Sequence, residues 1–203
     1  MPTQQELEAL VRDVLGESAL SLRIWNYHLS EDVESEKAQI VASLQKSDQI
    51  EIVRVEGVGV GMIDALFTGI RSVMAEEFPS LEHIRFIDFG ISGDFNSRDG
   101  KDAGSDAIGR VSLGVENSHG RRFVFQSATR SVTGSSVATV VAAVEHFVNA
   151  ERAVLRVLDW IADARRRARP ELVERYTHKL AELIKNASYS EVIGKRKAEL
   201  DIR

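Results

Sequence analysis

The sequence has no cysteine and only three prolines among its 203 residues. The lack of cysteine excludes disulfide bonds, zinc–thiolate sites and thiol nucleophiles. No stretch approaches the roughly 20 consecutive apolar residues that a membrane-spanning helix needs. The N-terminus, MPTQQELEAL, has neither the basic region nor the apolar core of a secretory signal. We therefore predict a cytoplasmic protein with no membrane partner.

Positive charge is also not in excess, since the formal net charge is −5. A negative balance disfavours nucleic acid as a partner, because phosphate backbones attract basic surfaces. One basic run, RRRAR at 165–169, ends a long helical pattern, where arginines complement the negative end of the helix dipole. We therefore expect no nucleic-acid partner.

Patterns that carry catalysis or bind metal are missing as well. The five histidines are scattered, without H-x-H or H-E-x-x-H spacing, and we expect each to be solvated or capped. No Gly-x-Ser-x-Gly elbow is present, and the serines in SVTGSS at 131–136 stand where a helix should begin, which favours a capping role. We predict no catalytic residue, no metal and no cofactor. The histidines are His28, His83, His119, His146 and His178.

The first part of the chain shows regular apolar spacing. Residues 3–15 predict an amphipathic helix with a capping box formed by Thr3 and Glu6. Helical spacing returns after the glycine-rich segment GVGVG at 57–61, and Pro79 is expected to close this second helix. Between the two helices, alternating apolar residues predict strands at 20–29, 38–45 and 50–55.

The same order of elements then occurs again. The segment IRFIDFGI at 84–91 matches LRIWNYHL at 22–29 position by position, and the repeat distance is about 62 to 70 residues. Strands at 106–116 and 121–126 follow, and a long helix begins near Gly134. We predict an α+β fold of two pseudo-two-fold related βββα units, with helices packed on antiparallel sheets and extra helices at both termini.

This repeat predicts the domain organisation. An N-terminal helix occupies 1–19, and the duplicated domain occupies 20–168, with repeat 1 at about 20–79 and repeat 2 at about 80–168. Helical spacing continues to Pro170, and a further helix is predicted from Glu171 to about Lys185. The C-terminal helical extension therefore covers 169–203.

The GVGVG segment permits two interpretations. A strand before it and a helix after it resemble a dinucleotide loop, but the Gly-x-Gly-x-x-Gly spacing fails and no lysine follows for a phosphate-binding loop. Glycines let a backbone approach a ligand closely, and a helix N-terminus offers N–H groups to a carboxylate, so Asp64 would meet the ammonium of a free amino acid. The alternative is a tight turn with an acidic residue matched to the helix dipole.

Three segments together resemble one family. GVGMIDALFTGI at 59–70 is similar to the G-x-G-P-x-D-A signature of the C-terminal regulatory domain of 2-isopropylmalate synthase and citramalate synthase, with Met62 in place of the proline. SDAIGRVSLGVENSHGRRF at 105–123 resembles the second segment of that domain, and IRFIDFGISG its intervening strand. The resemblance covers roughly residues 20–150, in the same order and with the same duplication.

The resemblance implies a dimer that binds an end-product amino acid, leucine or isoleucine. Phe86 and Phe89 stand where the family places an apolar residue and a tyrosine against the ligand, and Asp106 with Ala107 matches the D-A of the second segment. The implied binding residues are Gly59, Val60, Gly61, Ile63, Asp64, Ala65, Phe86, Phe89, Asp106 and Ala107.

The resemblance also implies a role. The family's synthases carry their chemistry on a (β/α)₈ barrel of about 250 residues with a histidine-held metal, and this chain has neither that length nor the H-x-H ligands. We expect no catalysis by the chain itself. We expect a homodimer or higher oligomer that senses leucine or isoleucine and acts on a separate 2-isopropylmalate or citramalate synthase subunit. The alternatives are a ligand-free structural dimerisation module, a free-standing enzyme, or a subunit of an unidentified acyltransferase.

Overall fold

A computed structural model describes residues 3–94 and 108–202. Helix α1 (Gln4–Leu15) precedes two successive βββα units, and two further helices end the chain. The first unit comprises β1 (Leu22–Asp32), β2 (Lys37–Lys46), β3 (Ile52–Gly59) and α2 (Met62–Met74). The second comprises β4 (Arg85–Asp94), β5 (Ile108–Glu116), β6 (Arg122–Thr129) and α3 (Val132–Arg166). The terminal helices are α4 (Pro170–Ile184) and α5 (Glu191–Glu199), so the predicted fold class is confirmed.

Each unit forms its own three-stranded antiparallel sheet, in the orders β1-β2-β3 and β4-β5-β6. The register of the first sheet shifts between Ile24 and Asn26, and that of the second between Phe86 and Asp88. These are the positions that the sequence repeat aligns, so the duplication extends to an irregularity of the backbone. One face of each sheet is buried, as the alternating burial along β2 of the first sheet and β5 of the second shows.

The two units share one apolar core. Helix α2 packs on the first sheet and the N-terminal half of α3 on the second, and the rings of Phe67 and Phe86 lie 4.6 Å apart between the units. Side chains of α3 also hold the start of β1. Asn149 accepts a hydrogen bond from the Leu20 N–H and donates one to the Leu20 carbonyl, and Glu145 accepts one from the Leu22 N–H.

A second apolar cluster lies where α1, the C-terminal half of α3, α4 and α5 meet. The segment after α4 is tied to the second unit by polar contacts. Glu151, fully buried on α3, accepts hydrogen bonds from the Ser80 N–H at 3.1 Å and from the Ser190 hydroxyl at 2.5 Å. Asn117 donates to the Ala187 carbonyl at 2.7 Å. The predicted boundaries at 19 and 169 stay a prediction.

Helix α2 lies very close to β3, and glycines make this approach possible. A Cβ atom added to Gly57 would lie 2.0 Å from the Ala65 carbonyl oxygen, and one on Gly59 would lie 2.5 Å from the Ala65 nitrogen. A Cβ on Gly69 would lie 2.7 Å from a methyl group of Val55. Any larger residue at these positions would push the helix off the strand.

Several local expectations were wrong. Strand β3 continues through Gly57 to Gly59, because these glycines remain in the ladder and serve helix packing rather than a loop. Helix α2 ends at Met74, ahead of Pro79, which instead begins a short 3₁₀ helix. Helix α5 was not predicted. His146 is buried between phenylalanine rings instead of being solvated, whereas Ser131 does cap α3 by accepting from the Gly134 N–H.

Among the described residues, no helix combines the length and the apolar character required to cross a membrane.

The close contact between α2 and β3 predicts the effect of Gly57→Ala. The added methyl group collides with the backbone of Ala65, so we expect the free energy of unfolding in urea to fall by about 1–3 kcal/mol. Gly90→Ala is the matched control in a strand with open space around the new methyl group, and it should change stability by less than about 0.5 kcal/mol. Equal losses in the two variants would contradict the packing account.

The half-buried position of Glu145 predicts a pH-dependent effect. Burial raises the pKa of this carboxyl above its ordinary value of 4.5, against the lowering effect of its hydrogen bond from the Leu22 N–H. The folded state therefore holds the proton more tightly than the unfolded state, and ionisation at rising pH costs stability. Glu145→Gln keeps an oxygen for the Leu22 N–H and removes the charge. We expect this variant to gain stability over the wild type as pH rises from about 4 towards neutrality; a constant difference across that range in urea titrations would disprove the assignment.

Candidate functional site

A cleft of about 690 Å³ lies between the two units. One wall is the turn before α2 and the first turn of that helix, and the opposite wall is β4. Strand β1 contributes Leu29 and Glu31 to the lining, β5 contributes Leu113, and α3 contributes Thr133 and Ser136. The cleft is therefore built from both halves of the duplicated fold.

The N-terminus of α2 opens into this cleft without a side-chain cap. Its N-cap residue is Gly61, in extended conformation, and the helical ladder begins when the Ala65 N–H bonds the Gly61 carbonyl at 2.9 Å. The first-turn N–H groups of Met62 and Ile63 therefore precede the ladder and have no capping side chain from Gly61. Such N–H groups, with the positive end of the helix dipole, favour an anion.

Asp64 occupies the first turn of α2 and faces back to the preceding residues. Its Oδ2 accepts a hydrogen bond from the Val60 N–H at 3.0 Å. A Cβ on Gly59 would lie 2.5 Å from this same oxygen, so the missing side chain of Gly59 makes room for the carboxylate. The N–H after Gly59 is thus occupied within the protein, whereas Met62 and Ile63, which line the cleft, receive no capping side chain from Gly61.

The walls of the cleft are acidic and apolar. Glu31, Asp64 and Asp88 line it, whereas none of its lining residues is a lysine or arginine among those the structure describes. Four of its apolar side chains are unusually exposed, and they lie on β4 and on the turn before α2. They are Val60 (80% exposed), Ile87 (40%), Phe89 (47%) and Ile91 (55%).

The structure brings most of the predicted binding residues together at this cleft. Its lining includes Val60, Gly61, Ile63, Asp64, Phe86 and Phe89. Gly59 and Ala65 lie instead behind it, at the contact between β3 and α2, and Ala65 is fully buried. Asp106 and Ala107 lie outside the described residues. Binding by any of these residues stays a prediction.

Several lining residues were not singled out from the sequence. The internal repeat holds a signal for some of them, because Ile91 aligns with Leu29, and Thr133 follows the N-cap of α3 as Ile63 follows that of α2. No such signal marks Glu31, because the residue that the repeat aligns with it, Gly93 of β4, does not line the cleft. Asp88 of IRFIDFGI aligns with Asn26 of LRIWNYHL, and each lies at the register shift of its own sheet.

The described residues offer no group of three or more histidine, aspartate or glutamate side chains suited to hold a metal ion.

The fold and the cleft define a duplicated α+β domain with a candidate binding site between its halves. The family model of the LeuA allosteric (dimerisation) domain matches residues 2–148, and the chain belongs to this family. The resemblance to the regulatory domain of 2-isopropylmalate synthase is thereby confirmed, and the chain is of the regulatory and dimerisation class. The comparison with curated proteins gave no match. The matched residues contain the first βββα unit and the second as far as the middle of α3.

The position of Asp64 predicts a modest structural role. Asp64→Ala removes the acceptor of the Val60 N–H, and we expect the free energy of unfolding to fall by about 0.5–1.5 kcal/mol. Asp64→Asn keeps an oxygen acceptor and should lose less stability than Asp64→Ala. The control is Asp88→Ala, an exposed acid on the opposite wall, which should stay within about 0.5 kcal/mol of the wild type in urea unfolding. A larger loss for Asp88→Ala than for Asp64→Ala would contradict the assigned hydrogen bond.

Proposed function

We propose that this protein is a non-catalytic regulatory and dimerisation module whose cleft binds a branched-chain amino acid, leucine or isoleucine. The observation that carries the proposal is the cleft itself, which joins an uncapped helix N-terminus, carboxylates and exposed apolar side chains in about 690 Å³. These are the three features that a free apolar amino acid needs for its carboxylate, its ammonium group and its side chain.

The carboxylate of the ligand is assigned to the N–H groups of Met62 and Ile63 at the start of α2. The Val60 N–H is excluded from this role because it already donates to Asp64. Charge-assisted hydrogen bonds to a helix N-terminus are strong, since the dipole and the N–H groups act together. This agrees with the sequence-based hypothesis in using the helix N-terminus after GVGVG, and it names the two N–H groups that would bind the carboxylate.

The ammonium group is assigned to the acidic side chains that line the cleft. Asp88 and Glu31 are exposed, and Asp64 has a second carboxylate oxygen, Oδ1, besides the Oδ2 that accepts from the Val60 N–H. The apolar side chain of the ligand then packs between Ile63 of α2 and the rings of Phe86 and Phe89. Phe86 already contacts Phe67, so this wall of the cleft is fixed by the core before any ligand arrives.

The exposed apolar residues of β4 support oligomerisation as well. Strand β4 is an edge strand of its sheet, and Ile87, Phe89 and Ile91 stand on it with 40–55% of their surface exposed. An apolar cluster on a strand edge is typical of a surface that a partner covers. We assign this surface to the contact between two copies of the chain, beside the ligand.

The module would act in the cytoplasm on a separate 2-isopropylmalate or citramalate synthase subunit in leucine or isoleucine biosynthesis. The family supports the regulatory part of this proposal, because the matched domain is an allosteric one. Occupancy of the inter-unit cleft would be communicated to that subunit through the dimer.

A second candidate is a ligand-free dimerisation module. The observation that favours it is the bond between Asp64 and the Val60 N–H, because it gives this acid a structural task without any ligand. The exposed surface of β4 would then serve dimerisation alone.

Ligand binding predicts a stabilised protein. Leucine or isoleucine at 100 times its dissociation constant should add about 2.7 kcal/mol to the stability of the folded state, and Tm should rise. Phe89→Ala should remove most of this increase in Tm. The matched control is Tyr27→Ala, which should keep the increase, because Tyr27 is the equivalent of Phe89 in the first unit and does not line the cleft. A wild type whose Tm is indifferent to millimolar leucine, isoleucine and valine would refute sensing and favour the ligand-free module.

The edge strand predicts the oligomeric state. Light scattering at micromolar concentration should give at least a dimer, and Ile91→Lys should shift it to monomer because a charge would be buried in the contact. Ile52→Lys is the matched control, because Ile52 is 51% exposed on β3 at a distance from the cleft lining, and it should leave the mass unchanged. A monomeric wild type, or dissociation by both variants alike, would contradict the assigned surface.

A further inference from the structure

A small apolar pocket lies in the C-terminal part of the chain, apart from the cleft. Its volume is about 190 Å³, and its walls are the turn that joins β5 to β6, the connection from α4 to α5, and α5 itself. This volume exceeds the roughly 150 Å³ of an engineered protein cavity that binds benzene. Most of the lining residues lie beyond residues 2–148, so the pocket belongs to the C-terminal extension. The apolar lining comprises Ile184, Ala187, Tyr189 and Ile193.

Hydrogen bonds hold the walls of this pocket in place. The Ser188 hydroxyl donates to the His83 carbonyl at 2.9 Å and accepts from the Ser118 N–H at 3.1 Å. The Ser118 hydroxyl in return accepts from the Tyr189 N–H at 2.7 Å. These bonds join the turn after β5 to the connection between α4 and α5. The pocket is therefore formed before any ligand arrives, as is usual for small-molecule sites.

Gly194 leaves open space at this pocket. It is the fourth residue of α5, and glycine is among the least favourable residues inside a helix. A Cβ atom added there would meet no neighbouring atom within 4 Å in the described part of the chain, so no packing contact requires a glycine. Gly57 shows the contrast, because a Cβ added there would collide with Ala65. The missing side chain of Gly194 instead keeps the pocket open.

The charged part of the lining is basic. Lys197 and His119 line the pocket, and none of its lining residues is an aspartate or glutamate among those that the structure describes. Lys197 is half-buried, and its ammonium group has no ion-pair partner within the described ranges. The adjacent Arg196, in contrast, forms ion pairs with Asp159 and Glu199. A cation at the wall of an apolar pocket favours an anion inside it. The charge of this pocket is thus opposite to that of the cleft.

We propose that this pocket is a second ligand site, specific for a small apolar monocarboxylate. The carboxylate pairs with Lys197 and accepts a hydrogen bond from the imidazole of His119. The short hydrocarbon part packs on Ile184 and Ile193 in the space beside Gly194. A free amino acid is not suited, because no acid of the lining would compensate its ammonium group beside Lys197. The site is independent of the cleft, and a chain that fails to bind leucine can still bind here.

The test is a calorimetric titration of the full chain with isobutyrate and with isovalerate, together with the backbone amide resonance of Gly194. We expect saturable heat and a matching shift of that resonance. Isovaleramide has the shape of isovalerate without its charge and should bind at least roughly tenfold more weakly. Absence of both heat and shift with both acids would overturn the proposal, and so would equal affinity for isovaleramide.

Lysine variants test the assigned ion pair. Lys197→Met keeps the length of the side chain and removes the charge, so it should raise the dissociation constant for isovalerate by roughly tenfold or more. Lys195→Met is the matched control, because Lys195 is exposed on the same helix and does not line the pocket, and it should leave the affinity unchanged. Equal weakening by the two variants would contradict the proposal.

A pocket-filling variant tests the location. Gly194→Leu places a side chain in the open space, and leucine favours a helix more than glycine does, so we expect a folded protein that no longer binds isovalerate. Phe89→Ala in the cleft should bind isovalerate as the wild type does. Undiminished binding by a folded Gly194→Leu variant, or loss of binding in Phe89→Ala, would show that the acid binds elsewhere and overturn the proposal.

Discussion

Helix α2 lies against β3 at backbone-to-backbone distance, and the position of the cleft depends on this contact. Gly57 and Gly59 remove the side chains that would hold the helix away, and Gly69 does the same from the side of the helix. The helix can therefore begin directly after the strand, with Gly61 as a cap that has no side chain. These three glycines thus determine the packing of the first unit, and Gly61 leaves the start of α2 without a side-chain cap at the cleft.

Helix α3 joins the other parts of the molecule. Its N-terminal half covers the second sheet and holds the start of β1 through Glu145 and Asn149, and its C-terminal half packs against α1, α4 and α5. The buried carboxylate of Glu151 ties the C-terminal segment to the same helix. The family match ends within α3, so the residues beyond it extend an existing helix instead of adding a detached unit.

The sequence was sufficient to predict the architecture, because the two repeats match each other most clearly where the backbone geometry is constrained. The match of 22–29 with 84–91 falls on the two register shifts, and Ser131 caps α3 as its position indicated. The effects of tertiary packing could not be predicted from the local sequence pattern. The glycines of GVGVG resemble a loop although two of them lie in β3, since their purpose is contact with a helix. The polar lining, such as Glu31 and Ser136, meets only when elements about 100 residues apart fold together.

The central claim is that an amino acid binds between the two units with its carboxylate at the start of α2. Hydrogen exchange with and without saturating leucine or isoleucine tests this claim at individual amides. The account predicts added protection for Met62 and Ile63 and for the amides of β4 along the cleft, while the Val60 amide, already bonded to Asp64, changes little. Unchanged exchange at Met62 and Ile63, with either amino acid present, would contradict it.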